Sequence, residues 1–191
     1  MLRQSKETRP SSVPGGKTYE RVEGRLRTFI EAQPVFFTAT AAAPLSADGT
    51  VSLSPKGLRG SFVVLDELTV AYLDFTGSTA ETIAHLRENG RGETVFRDDP
   101  RFPEPLARFP DVGPTVHGLR AIVVVTAEPL RDTCGHAVPF MAYAAERDLH
   151  ARRFAREDDA SLDAYSSKKK YVATSLDGLL GLPLPLPPSP A

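Results

Sequence analysis

Cysteine is almost absent from this sequence: one, Cys134, in 191 residues. A lone thiol cannot close an internal disulfide, which excludes a disulfide-held secreted scaffold, and it is too few for a cysteine-based zinc site. Charge of one sign is also lacking. Formal net charge is −1, so no global field draws the chain toward nucleic acid or an acidic membrane. No uninterrupted apolar run approaches the roughly 20 residues of a membrane helix. The opening segment, MLRQSKETRPSSVPGGK, has no apolar signal core. These absences together lead to the expectation of a soluble cytoplasmic protein with no membrane or nucleic-acid partner. What is present is ordinary: 41% hydrophobic and 25% charged residues, enough chain for one domain with a real core.

Residues 1–16 are polar and carry Pro10, Pro14, Gly15 and Gly16, so they read as a disordered leader. At the other end, 183–191 form a Pro-rich tail that cannot hold a helix. Between them lies one domain, 17–182. Val22, Leu26, Phe29 and Ile30 recur at helical spacing and predict a helix over 19–32, stopped before Pro34. Residues 35–42 and 50–54 read as strands joined across the Asp48-Gly49 turn signal into a hairpin. A second strand pair, 62–65 and 69–74, turns at Asp66-Glu67. The pattern then predicts a helix over 79–89, a strand over 92–96, a short helix over 100–109 and a buried strand over 121–126. Helices are expected over 140–154 and 162–171. Hairpin-paired strands with helices between and after them indicate an α+β architecture with an antiparallel sheet, for which a small barrel is the natural closed form.

Three constellations could carry chemistry. In Val51-Ser-Leu-Ser-Pro-Lys-Gly57 a strand ends in a turn bearing a lysine, with Ser52 and Ser54 on one face. A point positive charge and hydroxyl donors suit a phosphate or an electron-rich ring edge. Taken alone, the segment also reads as a surface turn with a solvated lysine. In Asp74-Phe-Thr-Gly-Ser-Thr-Ala-Glu-Thr82 a strand runs into a helix. Thr76, Ser78 and Thr79 are N-cap candidates, and Gly77 permits close backbone approach. Free N–H groups and hydroxyls at a helix start form an anion site, although plain capping with Glu81 near the N-terminus explains the same residues. In Asp132-Thr-Cys-Gly-His-Ala-Val-Pro139, Cys134 and His136 could pair as nucleophile and base, but no third group orients them and a structural loop accounts for them as well. His85, His117 and His150 stand in no metal-ligand spacing, so no metal site is expected. The run 168–170 is three lysines, read as a solvated helix face.

The stretches FFTATAA, DGTVSLSPKG and TVAYLDFTGSTAETIAHLRENGR, in that order, resemble the FMN-binding split-barrel family related to pyridoxamine 5′-phosphate oxidase. The similarity is greatest to a bacterial subgroup with SPKG, D-x-T-GS-x-x-ET and ENGR motifs. DTCGHAVPFMAYAAERD and TSLDGLLGL are similar to that subgroup's C-terminal half. The resemblance runs from about Lys17 to Leu182. It implies a small antiparallel split β-barrel with flanking helices, a homodimer, and FMN bound between subunits. Carried over to this chain, it implies that Ser54, Lys56 and Gly57 form one cofactor-binding segment and that Thr76, Gly77, Ser78 and Thr82 form the other. The oxidases that give the family its name place arginine and lysine near the second segment, where this chain has Glu81 and Thr82.

A larger departure follows Asn89-Gly-Arg91. Family members continue with two further strands, whereas this chain passes straight to Gly92-Glu-Thr-Val-Phe96. That implies a deletion of on the order of 20 residues, about two strands. The resemblance implies an FMN-dependent oxidoreductase acting on a small-molecule substrate; no catalytic side chain is singled out, because the flavin carries the electrons. The alternative is a non-catalytic flavin- or cofactor-binding dimer, which the lost strands and missing basic pair favour. A thiol enzyme centred on Cys134 is a third, minor reading.

Overall fold

The computed structural model describes residues 16–42, 51–77, 80–89, 92–109, 118–128, 130–133, 137–154, 156–158, 160–161 and 164–165. The leader, the Pro-rich tail, the Asp48-Gly49 turn, Ser78, Thr79, His117, Cys134, His136 and the lysines of 168–170 lie outside the described residues, as does most of the expected 162–171 helix.

Among the described residues the elements follow in the order β1 (Thr18–Tyr19), α1 (Gly24–Glu31), β2 (Val35–Ala41), β3 (Val51–Gly57), β4 (Phe62–Val64), β5 (Thr69–Phe75), α2 (Glu81–Asn89), β6 (Gly92–Phe96), α3 (Pro103–Leu106), β7 (Leu119–Thr126), β8 (Leu130–Arg131) and α4 (Leu149–Phe154). All strand pairing is antiparallel. The four-stranded sheet has the order β4-β5-β7-β6. β7 is its centre, with Val123 opposite Tyr72 on one side and Thr94 on the other. Its run of β-branched residues is buried on both faces, with Ala121, Ile122 and Val123 fully enclosed. One face packs on α2 through Tyr72, Ala80, Ile83, Leu86 and Val123. The opposite face packs on the α3 region through Leu73, Val95, Phe102, Phe109 and Ile122.

The predicted first hairpin forms as β2 and β3, with Val35 opposite Gly57 and Ala41 opposite Val51. It is a separate two-stranded sheet and shares no ladder with the four strands. Among the described residues, then, no barrel closes, which corrects the closed form expected from the sequence. Side chains hold the hairpin on the body instead. Phe36 packs on Phe62 and Tyr72, with ring centroids 4.9 and 5.3 Å apart. The buried His85 ring on α2 meets Thr40 Oγ1 at 3.1 Å.

Three helices differ from expectation, and one of them, α3, spans only Pro103–Leu106 of the expected 100–109. α1 starts at Gly24 rather than 19, because Tyr19 pairs in β1 and the Val22 N–H donates to the Glu67 carbonyl at 2.6 Å. Val22 is buried outside the helix, no residue of α1 is buried, and Phe29 is exposed. Over 140–154 only Leu149–Phe154 is helical. Residues 139–148 have no regular structure, since nothing in the described chain packs on Val138, Phe140 or Met141 and an unpacked amphipathic stripe does not hold a short helix. No helix among the described residues is long and apolar enough to cross a membrane.

Candidate functional site

Alternation along β3 turns Ser52, Ser54 and Lys56 inward, the even-numbered face of the hairpin. They meet the C-terminal end of β5 and the start of β7. There the β5–β7 register shifts between Asp74 and Phe75, a bulge of the kind that re-aims side chains at a strand end. Asp74 is 2% exposed and lies between two cations: Lys56 Nζ at 3.3 Å and Arg120 Nε at 2.5 Å. Ser52, Ser54, Lys56, Asp74, Glu81, Thr82 and Arg120 together line a cleft of about 30 Å³. Glu81 and Thr82 open α2, so the first turn of that helix forms one wall.

Beside this cleft lies an orphaned donor. The Tyr72 hydroxyl is buried and has no hydrogen-bond partner. Burial pushes its pKa well above the usual phenol range, with Asp74 adding to the rise and Arg120 opposing it, so it stays a neutral O–H donor. Lys56 Nζ stands 5.9 Å from the centre of its ring. A buried hydroxyl without an acceptor costs about 1–3 kcal/mol, which an incoming acceptor would recover.

A second, larger cleft has a volume of about 500 Å³. Its walls include Pro34, Val35, Gly57, Leu58, Phe75, Tyr143, Leu149 and His150. The two clefts share no lining residue; their walls include neighbouring residues, Lys56 and Gly57 on β3 and Asp74 and Phe75 on β5. One is small and polar, the other apolar and within the range of about 300–1,000 Å³ typical of ligand pockets. His150 borders the larger cleft from α4. Burial lowers its pKa, a hydrogen bond to the Thr76 backbone works against that, and Arg153 adds to the lowering.

Of the residues singled out from sequence, Ser54, Lys56 and Thr82 come together in the small cleft, whereas Gly57 lines the larger one. Thr76 is buried, and its backbone is committed: its N–H donates to the Gly118 carbonyl at 2.6 Å. Gly77 is exposed, with open space where a side chain would stand. Ser78 lies outside the described residues. Sequence reasoning missed Arg120, Asp74 as its partner, and the Tyr72 hydroxyl. Arg120 carried a signal, since a charge abutting the AIVVVT run enters the core only when paired. Nothing in the sequence marked Tyr72, because its lack of a partner is a property of packing. Among the described residues no three His, Cys, Asp or Glu side chains gather as a metal site would require.

No family model matches the chain, and no solved structure does. A protein of Aspergillus flavus, described as pyridoxamine 5′-phosphate oxidase family protein ustO, is 30% identical over 196 positions, covering 86% of this chain and 77% of that protein. The matched span exceeds the residues this chain contributes to it, so the relative has segments with no counterpart here.

Proposed function

Since this chain belongs to the pyridoxamine 5′-phosphate oxidase family, we propose that it is an FMN-binding flavoprotein, an FMN-dependent oxidoreductase working as a cytoplasmic homodimer on a small-molecule substrate. One observation carries the reading: Lys56, Arg120 and three hydroxyl side chains line a small polar cleft, and a separate, larger apolar cleft is lined by the next residues along β3 and β5. FMN has that polarity, a phosphate at one end and a flat apolar body at the other.

The donor set fits the phosphate. Lys56 and Arg120 would supply charge, and Ser52, Ser54 and Thr82 hydroxyl donors. The orphaned Tyr72 hydroxyl gains an acceptor. Ser78, Thr76 and Gly77, at the approach to α2, remain the expected second segment of the cradle. Arg120 takes the place of the basic residues that Glu81 and Thr82 replace in the sequence motif. Pro34, Leu58 and Phe75 would exclude water along the larger cleft. Bound FMN supplies the electron and hydride chemistry. Asp74 holds the two cations in place, so that no side chain has to move when the anion arrives.

We also read the fold as a shortened split barrel. The β2–β3 hairpin has no ladder to the main sheet, and α2 passes to β6 within two residues. Two strands inserted there would give the open edges a partner. One observation favours the non-catalytic alternative: Asp74 and Glu81 balance Lys56 and Arg120 within the cleft, so an anion gains less than it would from an unopposed basic pair.

The test is an absorption spectrum of freshly purified protein, followed by reduction with a nicotinamide cofactor and exposure to air. Flavin bands that bleach and return support the oxidoreductase. Flavin bands with no turnover select the binding protein. Colourless protein that takes up no added FMN contradicts both.

A further inference from the structure

We propose that residues 137–143 form an arm that crosses to a second copy of this chain and covers the outer face of its β2–β3 hairpin. The proposal rests on the dimeric reading above and names the surfaces that make the dimer.

The outward side chains of the hairpin are Val35, Phe37 and Ala39 on β2 and Val51, Leu53 and Pro55 on β3, and none is polar. Register sets Phe37 opposite Pro55 and Ala39 opposite Leu53, so the six form one continuous apolar face. Phe37 is 63% exposed and Leu53 67%. In an antiparallel sheet a solvent face normally alternates to polar residues; here the polar residues are all on the inner face.

The arm is the second unpartnered surface. From Ala137 to Ala145 it carries no charge, and Val138, Phe140 and Met141 are largely or wholly exposed. Its root is fixed: the Arg59 guanidinium lies 4.3 Å from the Tyr143 ring centre, and the Arg59 N–H donates to Glu146 Oε1 at 3.1 Å. At its tip, Phe140 and Met141 are almost wholly exposed. Pro139 removes a backbone donor, which keeps the segment from extending a sheet in the ordinary way.

Size and symmetry select a second copy as the occupant. Seven residues of extended arm span about 23 Å, which is also the length of a seven-residue strand at about 3.3 Å per residue. An aromatic side chain alone buries about 150–250 Å², so the arm and hairpin together approach the roughly 800 Å² each partner brings to a standard interface. Exchange about a two-fold axis covers both surfaces on both chains and closes the assembly. A monomer would leave an apolar area exposed beyond what soluble monomers normally carry.

The experiment uses the full chain with Cys134→Ser, as two differently tagged copies carrying Phe37→Cys or Phe140→Cys. The copies are mixed, refolded together and oxidised, and light scattering reports the assembly state. A dimer in which a disulfide links the two tags is the expected result. A dimer in which no disulfide joins the two tags overturns the arm exchange and leaves the dimer standing. A monomer overturns both. As a second reading, Phe140→Ser with Met141→Ser should raise the dimer dissociation constant at least tenfold with unchanged circular dichroism, since neither side chain packs in its own chain. An unchanged constant contradicts the proposal.

Discussion

Asp74 is enclosed, yet it faces two positive charges, and that arrangement sets what its loss does. Replacing it by asparagine removes the carboxylate that both Lys56 and Arg120 contact and leaves Glu81 as the counter-charge in their cleft. Removing one partner of a buried ion pair costs about 3–5 kcal/mol, so urea unfolding of Asp74→Asn should show a loss of that order. A loss below about 1 kcal/mol would mean that water already screens the cluster. His150 gives the chain an acid-sensitive contact. Its folded-state pKa is lowered from 6.5, first by burial, while the unfolded chain takes up a proton near the ordinary value. The contribution of His150 is therefore present above about pH 6.5 and is lost as pH falls through its depressed folded value. Hydrogen exchange across Leu149–Phe154 should quicken over that window, and His150→Phe should remove the step. Exchange that does not change with acidification would show that the ring is already solvated.

At the scale of elements, α4 docks through a small aromatic cluster, His150 lying 5.0 Å from Phe75 and 4.5 Å from Phe154 between ring centres. Gly118 makes room for it. Its φ is +82°, and a side-chain carbon there would stand 3.0–3.1 Å from Phe154 and His150. Gly118→Ala should cost about 1–3 kcal/mol of backbone strain and crowding, seen as a lower thermal midpoint and a loosened α4. An unshifted midpoint would contradict this docking. Local pattern made the strands legible: Val35–Ala41, Phe62–Val64, Thr69–Phe75 and Gly92–Phe96 all fall within a residue or two of where alternation and turn residues put them. β1 and β8 were not legible, since two residues carry no period and their pairing joins segments more than a hundred residues apart. The 140–154 segment misled because Phe140, Met141 and Tyr143 look like a buried stripe, yet packing that would make them helical is absent within the chain. In the site, Ser52 and Ser54 could be read from strand parity; Lys56, expected in a turn, instead lies within β3, which runs on to Gly57, while the Arg120–Asp74 pairing depends on a bulge that no residue type announces.

For the whole molecule, membership of the pyridoxamine 5′-phosphate oxidase family stands beside two features of the geometry: a small polar cleft bearing Lys56 and Arg120, and an exposed apolar face on the β2–β3 hairpin. The central claim is that Lys56 and Arg120 hold the phosphate of a flavin. Titration of the full chain with FMN, followed by quenching of flavin fluorescence, tests it directly. The account predicts one FMN per chain and at least a tenfold weaker dissociation constant in both Lys56→Met and Arg120→Met, because a hydrogen bond to a charged group contributes about 1.5–3 kcal/mol and about 1.4 kcal/mol is a factor of ten. No uptake by the unaltered chain, or the same affinity in all three proteins, would contradict it.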